Sequence, residues 1–207
     1  MNKIVDMSIK NYIDVLSSKS SMPGGGTTSA LTAAMGVSLY LMVINLSIDN
    51  DKYLDYRTTL VKIREELEGF KNQLLSLIDE DVKAYESMLS VYEMTSNTDE
   101  EKDIKAQKKQ EALALCAEPP MKVIQVSLAC MEYASKLFGK TTKSAESDLI
   151  VGTINLKSAI NSSYQNVLIN VKYIKDEEQA EGFKTFAKAM VEKSKVITHM
   201  INEQIKK

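Results

Sequence analysis

The feature that most constrains this 207-residue chain is the run from Ser20 to Ile48, which carries no charged side chain. It opens with Met22-Pro23-Gly24-Gly25-Gly26-Thr27 and continues as an apolar segment over residues 30–44. The glycines predict a turn, and the hydroxyl residues at 27–29 predict the cap of the following helix. Because that helix is apolar on every side, it must be surrounded by protein or by lipid.

A membrane span and a buried helix of a soluble protein both satisfy this pattern, since the run is long enough to cross a bilayer. Thr, Ser and Asn side chains interrupt it, however, and no cluster of Lys or Arg flanks either end. Small residues such as Ala33, Ala34 and Gly36 suit close contact between helices. We therefore predict a central buried helix and no association with a membrane.

Charge and cysteine content exclude several other classes. The net charge is −2, so no positive field would attract nucleic acid. The two cysteines, Cys116 and Cys130, lack the spacing of a metal site, and the lone His199 has no visible triad partner. No metal site is expected. The first six residues lack the apolar stretch of a signal peptide, which predicts a cytoplasmic protein with reduced thiols.

Apolar periodicity predicts an all-α fold: a single domain over residues 1–207, formed by a bundle of about seven helices. Pro119-Pro120 is expected to end one helix, with Pro120 as the first residue of the next. One long helix beginning near Tyr56 carries an apolar seam with alternating three- and four-residue spacing, formed by Leu60, Ile63, Leu67, Phe70, Leu74 and Leu77.

Asp81 occupies the next position on this seam. An inward-facing carboxylate is costly to ionise, so it tends to have a raised pKa and can act as a general acid or base. If the seam instead drifts to Ile78 and Val82, Asp81 lies on its polar edge. The sequence pattern leaves both interpretations open.

Other polar residues are weaker candidates for a site. The three glycines could let the backbone approach a ligand at a helix N-terminus, or could form only a tight turn. The negative charge of Asp148 could simply stabilise the first turn of its helix. Asn166 and Asn170 lie one turn apart on one helix face, where they could read a ligand or tie helices together.

Five ordered motifs then extend over nearly the whole chain. They are Pro23-Gly24-Gly25-Gly26-Thr27-Thr28-Ser29-Ala30-Leu31 with Met42-Val43-Ile44-Asn45-Leu46-Ser47, Asp79-Glu80-Asp81-Val82-Lys83-Ala84-Tyr85, Ala117-Glu118-Pro119-Pro120, Ser147-Asp148-Leu149, and Asn166-Val167-Leu168-Ile169-Asn170. Together they resemble the formiminotransferase-cyclodeaminase C-terminal family. Thr27 replaces the family's usual serine, and Asp49-Asn50-Asp51-Lys52 replaces its Gly-Lys, which leaves the substrate in doubt but not the fold.

This resemblance implies an all-helical homodimer that binds a tetrahydrofolate derivative, with the carboxylate of Asp81 as the catalytic group. Lysines near the cleft could bind a polyglutamate tail. No metal or cofactor beyond the folate substrate is expected. The substrate-binding positions implied by the resemblance are Gly24, Gly25, Gly26, Thr27, Thr28, Asn45, Asp148, Asn166 and Asn170.

Two activities are compatible with the resemblance. A methenyltetrahydrofolate cyclohydrolase is favoured, because no transferase domain accompanies this chain. The alternative is a formimidoyltetrahydrofolate cyclodeaminase, and a more distant one is a helical folate-binding module without catalysis.

Overall fold

The computed structural model describes residues 3–205 and contains seven α-helices and no strand within that range. Short 3₁₀ turns lie at Ile4–Asp6, Asp51–Tyr56 and Lys143–Ala145. The helices are α1 (Ile9–Leu16), α2 (Gly25–Ser47), α3 (Arg57–Glu93), α4 (Asp99–Glu132), the single turn α5 (Ala134–Leu137), α6 (Glu146–Val171) and α7 (Glu177–Ile205). The predicted all-α class is confirmed.

Four of these helices form the core. Helix α2 packs against α3 and α6, and α4 packs against α3 and α6 on the opposite side, with α7 covering α4 and α6. Helices α2 and α6 run antiparallel, and their backbones meet at Gly36 and Gly152. A Cβ on Gly36 would lie 2.8 Å from the Gly152 carbonyl oxygen. The small residues of α2 therefore allow the close helix contact that the sequence predicted.

Helix α2 is buried on most of its circumference, but one stripe faces outward. Val37, Tyr40 and Ile44 are fully buried, whereas Met35 and Leu46 are 48% and 56% exposed. By length and composition α2 and Asp99–Leu137 could each cross a membrane, yet 56% and 61% of their most apolar windows are buried inside the protein. The core helix of a soluble protein can be equally long and apolar, so these two helices are weak evidence for a membrane.

The start of α2 differs from the sequence prediction. The helix begins at Gly25 with Gly24 as its cap, so two of the three glycines lie inside the first helical turn. Thr27 is not the cap residue; instead its Oγ1 accepts a hydrogen bond from the Gly24 N–H at 3.1 Å. Because Gly25 and Gly26 have no Cβ atoms, side chains of the neighbouring helices can approach this first turn closely.

Pro119 and Pro120 do not end a helix, and that prediction is wrong. Both lie inside α4, which continues to Glu132. Pro120 has no N–H to donate to the Cys116 carbonyl, four residues earlier. The side-chain amide of Asn170 donates to that carbonyl at 2.8 Å. The helix tolerates the proline because an amide from α6 replaces the missing backbone donor.

Candidate active site

The candidate site forms where α3 meets the first turn of α2. Asp81 lies directly against Gly26: a Cβ built on this glycine would have all three atoms of the Asp81 carboxylate within 2.5 Å. The backbone N–H of Thr27 donates a hydrogen bond to the same carboxylate. Because N–H groups in the first turn of a helix have no helical acceptor, α2 offers Asp81 a free donor.

Burial and hydrogen bonding act on Asp81 in opposite directions. Removal from water raises the pKa of the Asp81 carboxyl to about 6, and the Thr27 N–H, which favours the ionised form, only partly opposes this effect. Such a carboxylate is mostly ionised at neutral pH and can still accept a proton from a reacting group. The sequence pattern left two positions open for Asp81, and the structure shows the inward one. Ile78 and Val82 are buried as well.

A cleft of about 190 Å³ opens beside this carboxylate. Helix α2 and the preceding loop form one wall, and α3, α4 and α6 supply the rest. The lining residues are Ser21, Met22, Gly24, Gly25, Gly26, Asp81, Ala84, Tyr85, Cys116 and Asn170. The predicted glycines and Asp81 are thus brought together in one place.

The two predicted asparagines take different positions at this end of α6. Asn170 lines the cleft, but its amide nitrogen is engaged by the Cys116 carbonyl. Asn166 contacts the Gly25 backbone, since a Cβ there would lie 3.1 Å from its Oδ1, and its Nδ2 is 3.4 Å from Ser29 Oγ. Both amides therefore hold α6 against its neighbours.

Asn45 and Asp148 are not brought to this cleft within one chain. Asn45 lies near the C-terminal end of α2, roughly 30 Å from Gly26 at a rise of about 1.5 Å per residue. Asp148 lies in the first turn of α6, at the same far end of the antiparallel pair. A larger cavity of about 400 Å³ opens at that end beside Lys52 and Lys143, but no buried carboxylate lines it.

Sequence reasoning missed Cys116 as a residue of the cleft. Its Sγ–H donates to the Ala84 carbonyl at 3.2 Å, and burial together with the negative charge of Asp81 raises the pKa of the thiol to about 11. The thiol is therefore neutral and weakly nucleophilic. Tyr85, four residues after Asp81, also lines the cleft and was likewise not predicted as part of the site. Among the described residues, no three His, Cys, Asp or Glu side chains gather as possible metal ligands.

Comparison with known proteins gives a consistent family. Residues 8–189 match the sequence profile of the formiminotransferase-cyclodeaminase family. A methenyltetrahydrofolate cyclohydrolase from Methylorubrum extorquens is 33% identical over 173 residues, covering 84% of this chain and 83% of that protein. The formimidoyltransferase-cyclodeaminase of Mus musculus is 28% identical over 84% of this chain.

The lengths of these relatives differ. This chain spans only about a third of the mouse protein, 32%, but most of the bacterial one. A crystal structure of formiminotetrahydrofolate cyclodeaminase from Thermotoga maritima superposes with a TM-score of 0.88, covering 99% of this chain and 98% of that one. At 23% identity, this last likeness supports the fold.

Proposed function

We propose, since the chain belongs to the formiminotransferase-cyclodeaminase family, that it hydrolyses 5,10-methenyltetrahydrofolate to 10-formyltetrahydrofolate. The observation that carries the proposal is the Asp81 carboxylate, partly buried in a cleft and held by the first turn of α2. The relative named as a cyclohydrolase supports it, because similarity to that protein extends over most of both chains.

Asp81 acts as the general base in this proposal. A water oxygen adds to the carbon that bridges N5 and N10, and Asp81 accepts one proton from that water. The bond from the carbon to N5 then breaks, N5 takes the second proton of the water, and the formyl group stays on N10. The carboxylate also stabilises the cationic bridge before attack, because its charge lies in a partly desolvated cleft.

The size of the cleft agrees with this role. At about 190 Å³ it is smaller than a typical ligand pocket of roughly 300–1,000 Å³. It therefore suits the reacting end of a folate, with the glycine backbone of α2 as its floor. In this proposal the rest of the ligand extends outside, and no metal or redox cofactor takes part.

Cyclodeamination of 5-formiminotetrahydrofolate is the second candidate, favoured by the relatives that carry that name. In that reaction N10 would add to the carbon of the protonated formimino group, and Asp81 would accept the N10 proton and deliver it to the formimino nitrogen, which then leaves as ammonia. The same carboxylate serves both reactions, so the substrate must be decided by assay.

We also infer a homodimer in the cytoplasm. The exposed stripe of α2 and the adjoining face of α6 carry apolar side chains, formed by Met35, Met42, Leu46, Val151 and Ile154. Such a face is costly to leave in water, and a second copy would bury it. Both cysteines are free and buried, which suits a reducing compartment.

The experiment follows the absorbance of methenyltetrahydrofolate with added protein, and separately the release of ammonia from 5-formiminotetrahydrofolate. Each is run with the wild type and with Asp81→Asn. We expect the wild type to consume the methenyl compound and the variant to be about 10²- to 10⁴-fold slower, the contribution of a general base. No activity on either folate would rule out the proposal, and an unimpaired Asp81→Asn enzyme would remove Asp81 from its role.

A further inference from the structure

Helix α1 reaches the first turn of α2 through Tyr12. This side chain is buried, and its hydroxyl oxygen lies 3.1 Å from the Oγ1 atoms of both Thr27 and Thr28. It is the only described side chain of α1 that is buried. The contact therefore joins a short peripheral helix to the turn that holds Asp81.

The direction of these hydrogen bonds follows from the acceptors available. The hydroxyls of Thr27 and Thr28 each lie 2.8 Å from the Gly24 carbonyl, to which each can donate its single proton. The Tyr12 hydroxyl is then the donor to one of the threonine oxygens. The Gly24 N–H also donates to Thr27 Oγ1 at 3.1 Å, so a closed network fixes this turn.

The backbone of the same turn touches the carboxylate on its other side. Thr27 donates its N–H to Asp81, and Gly26 lies against the carboxylate oxygens. A small displacement of the turn would lengthen that hydrogen bond, and the ionised carboxylate would lose its stabilisation. Tyr12 thus does not line the cleft and has no hydrogen bond to Asp81, yet it is bonded to Thr27, whose N–H holds the carboxylate.

We propose that Tyr12 is a positioning residue for Asp81, holding the first turn of α2 so that the Thr27 N–H remains aimed at the carboxylate. The importance of this for turnover rests on the proposed function. Its effect on the carboxylate itself is independent of any substrate.

Other groups near Asp81 could also influence its titration. The titratable side chains that line the cleft are Tyr85 on α3 and Cys116 on α4, and α6 contributes the neutral Asn170. The neighbouring Glu80 is paired with Lys122 of α4 at 3.3 Å. None of these is hydrogen-bonded to Tyr12, whose hydroxyl bonds only to Thr27 and Thr28 among the described residues, so loss of that hydroxyl should reach Asp81 through α2.

The test compares Tyr12→Phe with Tyr40→Phe. Tyr40 makes an equivalent buried hydrogen bond, 2.6 Å to Thr153, farther along the same helix. The Asp81 pKa is measured by NMR of ¹³C-labelled aspartate, with Asp81→Asn assigning the signal. We expect Tyr12→Phe to raise this pKa by about half a unit or more, since a hydrogen bond to the ionised form is weakened. The Tyr40 variant should lose stability without that shift.

Activity gives a second readout. The acid limb of the kcat profile should move to higher pH in Tyr12→Phe by the same amount, with KM little changed. Incorporation of 3,5-difluorotyrosine at position 12 strengthens the donor while keeping the ring, and should shift the pKa downward. An unchanged Asp81 pKa in Tyr12→Phe would overturn the inference, as would an equal shift in Tyr40→Phe. An enzyme inactive on both folates would refute the proposed function and leave the NMR titration decisive.

Discussion

The side-chain amide of Asn170 donates a hydrogen bond to the carbonyl of Cys116. Pro120, four residues later in α4, has no N–H to donate to this acceptor. Asn170→Ala leaves this part-buried carbonyl without a donor and should reduce the free energy of unfolding by about 1–3 kcal/mol. Pro120→Ala restores a backbone N–H at the same point. In that background Asn170→Ala should cost at least about 1 kcal/mol less, as measured by a double-mutant cycle in urea. Additive effects would contradict this account.

Gly26→Ala should inactivate the enzyme. The new methyl group would overlap the Asp81 carboxylate, so either α2 or Asp81 must move. We expect a loss of about 10²-fold or more in kcat, since small misplacements of catalytic groups have effects of this size.

Gly182→Ala is the matched control for that substitution. Gly182 also lies in a helix, but a Cβ there would meet no atom within 4 Å. This variant should keep full activity and gain about 0.5–1 kcal/mol of stability. If both variants retain activity, close contact between Gly26 and Asp81 is unimportant.

Asp81→Asn should be more stable than the wild type at neutral pH. Burial raises the pKa of Asp81 from 3.8 to about 6 in the folded protein. The protonated carboxyl therefore favours the folded state fully below about pH 4, and this stabilisation is lost as the pH rises through about 6. Asparagine does not titrate but keeps an oxygen for the Thr27 N–H. We expect a gain on the order of 3 kcal/mol at about pH 8, vanishing near pH 4. A constant difference across that range would be inconsistent with a raised pKa.

The pH dependence of turnover should follow the same group. If Asp81 must be ionised to accept a proton, kcat should rise about tenfold per pH unit on the acid side and level off above about pH 6. A stopped-flow profile of methenyltetrahydrofolate hydrolysis measures this. A flat acid limb would mean that another group provides the base.

Leu46→Glu should dissociate the proposed dimer. Leu46 is 56% exposed on the outward stripe of α2, and a carboxylate there would be costly to bury against a second copy. Val196→Glu places the same charge on an exposed position of α7 and is the control. Sedimentation should give a monomer for the first variant and a dimer for the second. A wild-type monomer at micromolar concentration would refute the dimer.

Much of the fold could be predicted from residue spacing. The seam from Leu60 to Leu77 required one helix, and its continuation allowed an inward Asp81 without requiring it. These features depend only on the helical repeat, which is a local property of the chain.

What could not be predicted depends on contacts between distant segments. Pro119-Pro120 looked like a helix end because the donor that replaces the missing N–H comes from Asn170, on another helix. The cleft positions of Cys116 and Tyr85 likewise follow from how the helices cross. No local pattern encodes these crossings.

The composition of the cleft also determines which ligand it retains. Among its described lining residues Asp81 is the one carboxylate, and none is cationic. Once ionised, it attracts the positively charged bridge of a methenyl compound but not a neutral formyl product of similar shape. In the proposed reaction, hydrolysis therefore removes the electrostatic attraction between Asp81 and the bound folate. We therefore expect fast release of the product and weak inhibition by it.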